Sequence, residues 1–169
     1  MTIQEIYNIY KNHTEITTDS RNCPKGSIFV ALKGDSFNGN LFAKQAIDKG
    51  CAYAFVDESE YADGDRILLV DDCLTMLQQL ANWHRRQLTI PIIGITGTNG
   101  KTTTKELTSA VLTRKYNVLF TQGNLNNHIG VPLTLLKINA QHEIAVVEMG
   151  ANHVGEIKFL SEIASQIMH

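Results

Sequence analysis

PIIGITGTNGKTTTKELTSAVL, residues 91–112, is the stretch that decides the fold. Its opening, PIIGIT, is an unbroken apolar run that suits a strand buried on both faces of a parallel sheet. Two glycines follow, and then a segment in which Leu107, Ala110 and Val111 share one helical face. A strand, a glycine-bearing loop and an amphipathic helix in that order let a backbone wrap an anion. Gly97 and Gly100 free the turn so that successive N–H groups of Gly97, Thr98, Asn99, Gly100, Lys101, Thr102 and Thr103 face one phosphate chain. The helix behind them adds the positive end of its dipole. Lys101 supplies a point charge for β- and γ-phosphates, and Thr102 a hydroxyl for Mg²⁺. The loop is shorter than the common phosphate loop: where that pattern has its first glycine, this chain has Ile95, and Gly97 leaves two residues before Gly100-Lys101. Asn99-Gly100 is also a hairpin signal. A hairpin needs a strand after it, and the residues from Glu106 onward favour helix.

Working outward from the loop, residues 118–121 (VLFT) read as a short strand. IAVVE, Ile144–Glu148, reads as a second buried run ending in a carboxylate. Ligands gather at the carboxyl ends of strands in open α/β sheets, so Glu148 is a candidate second ligand for Mg²⁺. The plainer reading is a strand-end carboxylate in water. Asn126, Asn127 and His128 sit in a polar loop that on its own is no more than a turn. Residues 154–164 look helical, with Ile157, Leu160 and Ile163 inward. On the N-terminal side, Ile3, Ile6, Tyr7 and Tyr10 predict a helix. TTDSRNCPKGS reads as a turn, residues 28–32 as a strand, residues 33–40 as a loop, and residues 41–49 as a helix stopped by Gly50. Strands are expected at 52–56 and 67–70. Asp72 caps a helix to about Leu88, with Leu74, Leu77, Leu80, Ala81 and His84 along one face and His84 as a packing residue. Strands alternating with helices give an α/β chain with a mostly parallel sheet. The boundary falls near residues 88–91, giving a small α/β domain over 1–88 and the start of a phosphate-loop domain over 89–169.

Composition sets the bounds. Hydrophobic residues make up 43% of the 169, enough for a core. Fifteen basic and seventeen acidic residues give a formal charge of -2, which offers no electrostatic reason for a nucleic-acid partner. Cys23, Cys51 and Cys73 are odd in number and widely spaced, so neither a zinc site nor a disulfide framework is suggested. A cytoplasmic setting is the natural expectation. The first residues lack the pattern of a signal peptide, and the apolar runs are too short to span a membrane.

Taken together, these segments resemble the Mur ligases, which add amino acids to the peptidoglycan precursor. GITGTNGKTTTKE, residues 94–106, is similar to their phosphate loop, shortened glycine spacing included. TTDSR (17–21) and FVALKGDSFNGNLF (29–42) are similar to the uridine-nucleotide-binding segments of their N-terminal domain. GNLNNHIGVPLTLL (123–136) and VVEMGANHVGEI (146–157) are similar to the branch that adds D-Ala-D-Ala to UDP-MurNAc-tripeptide. The resemblance runs from about Thr17 to Ala164. It implies an ATP-dependent amide ligase that turns the tripeptide carboxylate into an acyl phosphate, which the dipeptide amine then attacks. Lys101 and the N–H groups of residues 98–103 would hold ATP phosphates, Thr102 and Glu148 would hold Mg²⁺, and Asn126 and Asn127 would help place the phosphates. Ser20, Arg21, Lys33, Gly34, Asp35, Phe37, Asn38 and Gly39 would lie at the uridine-diphosphate site. Without the resemblance, Arg21 is a solvated loop arginine and residues 33–39 a plain turn.

The family's enzymes are much longer, with a second metal site and an amino-substrate domain beyond this point. The chain is therefore expected to be a fragment that does not ligate alone and whose sheet has an edge open to self-association. The last residues, 166–169, look unlike the expected continuation. Three other readings stand beside this one. The folate polyglutamate ligases use a similar loop, but residues 17–42 argue against them. The Mur ligase that adds the third residue is a closer rival. A non-catalytic nucleotide-binding module is the third, against which the intact Lys101, Thr102 and Glu148 argue.

Overall fold

The computed structural model describes residues 1–151 and 153–164. Asn152, within the 146–157 motif, and residues 165–169 lie outside the described residues. The chain forms two compact units, Met1–Leu77 and Gln78–His169.

The first unit opens with α1, Ile3–Asn12, fixed at its start by a reciprocal box. The Thr2 hydroxyl accepts from the Glu5 N–H, and the Glu5 carboxylate accepts from the Thr2 N–H. Ile6 and Tyr10, one turn apart, are its buried face. β1 (Ile16–Thr17) and β2 (Ile28–Val30) follow. β3 (Lys33–Gly34) and β4 (Phe37–Asn38) form a small antiparallel hairpin inside the expected 33–40 loop. A 3₁₀ turn, Gly39–Phe42, leads into α2, Ala43–Lys49, which ends at Gly50 with φ 124° as the glycine stop predicts. β5 (Tyr53–Val56) and β6 (Ile67–Leu69) complete a parallel sheet in the order β1-β2-β5-β6. Its central strands carry Phe29 and Phe55, both fully buried.

α3, Cys73–Arg86, starts where the Thr75 N–H donates to the Asp72 carboxylate at 2.7 Å, the expected cap. The two units divide within this helix, after Leu77, and its later turns are bonded inside the second unit. Asn82 Nδ2 donates to the carbonyls of Glu162 and Ile163, and Arg85 Nε to that of Ala164. These carbonyls lie at the end of a later helix, where intrahelical donors run short, and α3 supplies donors to them.

In the second unit β7 (Ile92–Ile95), β8 (Val118–Phe120) and β9 (Ile144–Glu148) form a parallel sheet in the order β7-β9-β8. α4 (Lys101–Leu112), α5 (Gly130–Leu135) and α6 (Glu156–Ile163) complete it. Two expectations are corrected. β7 is an edge strand and only half-buried; β9, which has a neighbour on each side, is buried from Ala145 to Glu148. The Leu107–Ala110–Val111 face of α4 points outward, with Leu107 65% and Val111 72% exposed, while Lys105 and Ser109 are buried. Periodicity finds an apolar stripe but cannot say whether anything among the described residues covers it.

His84 is buried in the second unit, its Nε2 donating to the Ile138 carbonyl at 2.8 Å. Burial pushes its pKa below the ordinary 6.5, against the opposing pull of that carbonyl. Above pH 6.5 the ring is neutral in both states. Below it the unfolded chain takes up a proton that the folded ring resists, so stability falls as pH drops. Urea unfolding at about pH 7.5 and about pH 5.5 should show this loss, and His84→Gln should shrink it; an unchanged difference would contradict the assignment.

Candidate functional site

The loop between β7 and α4 is built as the glycines require. Gly97 has φ 143° and Gly100 φ 76°, conformations that side chains strain to adopt. Gly100 is the N-cap of α4 and provides no side-chain cap. The first N–H groups of the helix therefore face outward at the positive end of its dipole. Thr98, Asn99 and Thr103 are exposed, and Lys101 is half-buried with Nζ folded back onto the Gly97 carbonyl at 2.6 Å. The segment is strand–loop–helix, and the hairpin alternative at Asn99-Gly100 is not what forms.

Glu148 lies across from it at the end of β9, 2% exposed. Its Oε1 accepts from the Thr102 hydroxyl at 3.3 Å and from Asn126 Nδ2 at 2.8 Å. Its Oε2 is buried with no hydrogen-bond partner. A buried carboxylate oxygen without a donor is costly, and a cation at that point would relieve it. Among the described residues no cluster of three or more His, Cys, Asp or Glu could hold a metal ion. A cation here would find one carboxylate and one hydroxyl and would take its other oxygens from water or phosphate, which is the habit of Mg²⁺. The residues present therefore fit that ion.

The polar loop is more than a turn. Asn126 turns its amide to Glu148, and its carbonyl accepts from the Gly150 N–H at 2.8 Å. A Cβ on Gly150 would lie 3.1 Å from the Asn126 carboxamide, a tight contact that would press on the side chain reaching Glu148. Asn127 is used differently: its Oδ1 accepts from the Ile129 and Gly130 N–H groups at the start of α5. That oxygen is therefore occupied in capping. Three residues that the motif spacing does not flag, Lys105, Thr121 and Gly150, complete the arrangement. The available signal for Lys105 is helical: it lies one turn beyond Lys101 and Thr102 on the same face.

In the first unit the expected uridine-site residues fall on two turns. The Ser20 carbonyl accepts from Lys49 Nζ at 2.7 Å. Arg21 is exposed and grips Asp19 through both Nε and an NH₂ at 2.9 Å, and these bonds hold the Asp19 carboxyl at about 2. Lys33 Nζ pairs with Asp57 at 3.0 Å and reaches Glu58 at 3.6 Å. Burial raises the Asp57 pKa, but hydrogen bonds from Asn40, Lys33 and the Cys73 N–H outweigh it and leave the group below its ordinary value. Gly34 and Asp35 are exposed at the hairpin. Phe37 stacks on Phe42 with ring centres 5.4 Å apart, Asn38 binds Asn40 and Glu58, and Gly39 lies so close to the Leu32 backbone that no side chain fits.

These features define a class. The chain belongs to the Mur ligase family: the Mur ligase middle domain matches residues 95–167, and the Mur ligase family catalytic domain matches residues 12–85. Among particular relatives, it is 45% identical over 152 residues to the UDP-N-acetylmuramoyl-tripeptide–D-alanyl-D-alanine ligase of Bacillus subtilis, covering 89% of this chain and 33% of that protein. The corresponding Escherichia coli ligase is 44% identical over 142 residues, covering 84% of this chain and 31% of that one. The structure of the MurF ligase from Thermotoga maritima in complex with ADP matches with TM-score 0.80 and 34% identity, over 90% of this chain and 35% of that one. The chain thus spans about a third of the length of these curated relatives.

The unpartnered Oε2 makes a stability prediction. Glu148→Gln keeps an acceptor for Asn126 and Thr102 and removes the buried charge. In the ligand-free chain it should raise the melting temperature by roughly 2–4 °C, about 1 kcal/mol. A fall of that size would mean the carboxylate is stabilising as it stands.

Proposed function

We propose that this chain is part of an ATP-dependent amide ligase that joins D-Ala-D-Ala to UDP-MurNAc-tripeptide. Residues 1–88 would hold the uridine nucleotide, and residues 89–169 would form the first part of the ATP-binding domain. The observation that carries this is the convergence of the Thr102 hydroxyl and Asn126 amide on the buried Glu148, beside the loop that launches α4. Support comes from relatives that carry this ligase's name and from a related structure that holds ADP.

A carboxylate does not react with an amine at useful rate, so the tripeptide carboxylate must first be phosphorylated. The dipeptide amine then attacks the acyl phosphate, and phosphate leaves. Both stages build negative charge on phosphoryl oxygens, and fixed positive groups that need no rearrangement are the main means of lowering such barriers. Lys101 would swing from the Gly97 carbonyl to the phosphates, exchanging a neutral acceptor for a charged one. The N–H groups at the start of α4 would hold the β-phosphate. Mg²⁺, held by Thr102 and Glu148, would neutralise charge on the transferred group. Asn126 would keep the Glu148 carboxylate turned toward the loop. In the first unit, Arg21 and Lys33 are the cations that a diphosphate would draw from Asp19 and Asp57.

Calorimetric titration of the chain with Mg-ATP tests this. The chain should bind, and Lys101→Ala should weaken binding by about 10-fold or more, the worth of one charge-assisted contact. Absence of binding by the unaltered chain would overturn the reading in favour of an inert module.

A further inference from the structure

Lys105 is a lysine that the proposed chemistry does not use, yet its side chain is 1% exposed. Burying an ammonium is expensive unless it is paired and hydrogen-bonded. Its Nζ donates to the Thr121 carbonyl at 2.8 Å and to the Glu106 carboxylate at 2.8 Å, and it lies 5.9 Å from the centre of the Phe120 ring. Thr121 is itself fully buried, immediately after β8. Its hydroxyl accepts from the Glu148 N–H at 2.9 Å, and its own N–H donates to the Val146 carbonyl. One ammonium on α4 thus grips the residue that supports the backbone of Glu148. The same helix carries Thr102, one turn earlier.

We infer that Lys105 is a positioning residue: through Thr121 it sets the Glu148 carboxylate against the Thr102 hydroxyl, and so fixes the separation of the two groups proposed to hold the metal. The inference rests on the proposed function. Three elements meet at this point, and each contributes one link: α4 the ammonium, the end of β8 a carbonyl and a hydroxyl, β9 an N–H and the carboxylate. A surface pair would be screened by water and worth little. Here the lysine and threonine are out of water and cannot exchange their partners for solvent. Removing the ammonium leaves the Thr121 carbonyl without its donor and frees β8 to shift against α4. Lys105 touches neither Glu148 Oε1 nor the loop, so its loss should act on metal geometry and spare the phosphate contacts made by Lys101 and the backbone.

Calorimetry on the full chain with ATP alone and with Mg-ATP separates these effects, with thermal melting to confirm that each variant is folded. Lys105→Met should weaken Mg-ATP binding by about 10-fold or more, the usual cost of losing a support behind a metal ligand, and leave metal-free ATP within about 2-fold. Thr121→Val, which keeps the carbonyl and removes the hydroxyl, should do the same. The double variant should be no worse than either alone by more than about 2-fold, since both cut one chain of contacts. Glu106→Gln, at the exposed end of the lysine's ion pair, should bind Mg-ATP like the unaltered chain. Equal Mg-ATP affinity in Lys105→Met, additive losses in the double variant, or a matching loss in Glu106→Gln would each overturn the inference while the proposed function stood. Failure of the unaltered chain to bind Mg-ATP would overturn both.

Discussion

A carboxylate at the buried end of a central strand is the constraint around which the second unit is organised. Glu148 is almost out of water, so its charge must be met by designed neighbours. Asn126 and Thr102 meet one oxygen, and Thr121 takes the residue's own N–H. The other oxygen is met by nothing. A fold that spends stability in this way makes sense if a cation completes the arrangement. Three features surround the carboxylate: Gly150, packed against the Asn126 carboxamide, the buried Lys105 behind Thr121, and α4, which brings Thr102 to Glu148.

The same economy explains why the loop is glycine-rich and the helix starts uncapped. A serine or aspartate at the N-cap would satisfy the first N–H groups of α4 and stabilise the helix. Gly100 offers no side-chain cap to them, which suits the proposed phosphate contact. Lys101 rests on the Gly97 carbonyl, a neutral partner readily exchanged for a phosphate. In the first unit the cations are likewise parked on carboxylates, Arg21 on Asp19 and Lys33 on Asp57. At the Asp57 end of this network, Asn40 donates to one carboxylate oxygen and the Cys73 N–H to the other.

Most of the architecture was legible because apolar runs, glycine stops and the Asp72 cap are local signals. Gly50 ends α2 and Asp72 starts α3 where the residues say they should. What local signals could not supply was which side of an element is covered. PIIGIT and IAVVE look alike as buried strands, yet β9 is central and β7 lies at the edge, a distinction set by strand order. The Leu107–Val111 stripe is a true periodicity on a face that is exposed among the described residues. At the candidate site, the strand–loop–helix order and the strand-end position of Glu148 are legible locally, and the structure brings the Thr102 hydroxyl to Glu148 as that placement implies. That the Asn127 oxygen accepts from the start of α5 is a medium-range contact that the loop's composition does not announce. Lys105 and Thr121 were invisible because a buried lysine announces itself only by the carbonyl it reaches, and that contact links residues far apart in the chain.

The central claim is that Glu148 is held in readiness for a divalent cation brought by ATP. Paramagnetic resonance of Mn²⁺, titrated into the chain with and without ATP, addresses it directly. The account predicts Mn²⁺ immobilised in a ternary complex with ATP and chain, with Glu148→Gln weakening that uptake by about 10-fold or more. Equal Mn²⁺ uptake by the Gln variant would contradict it.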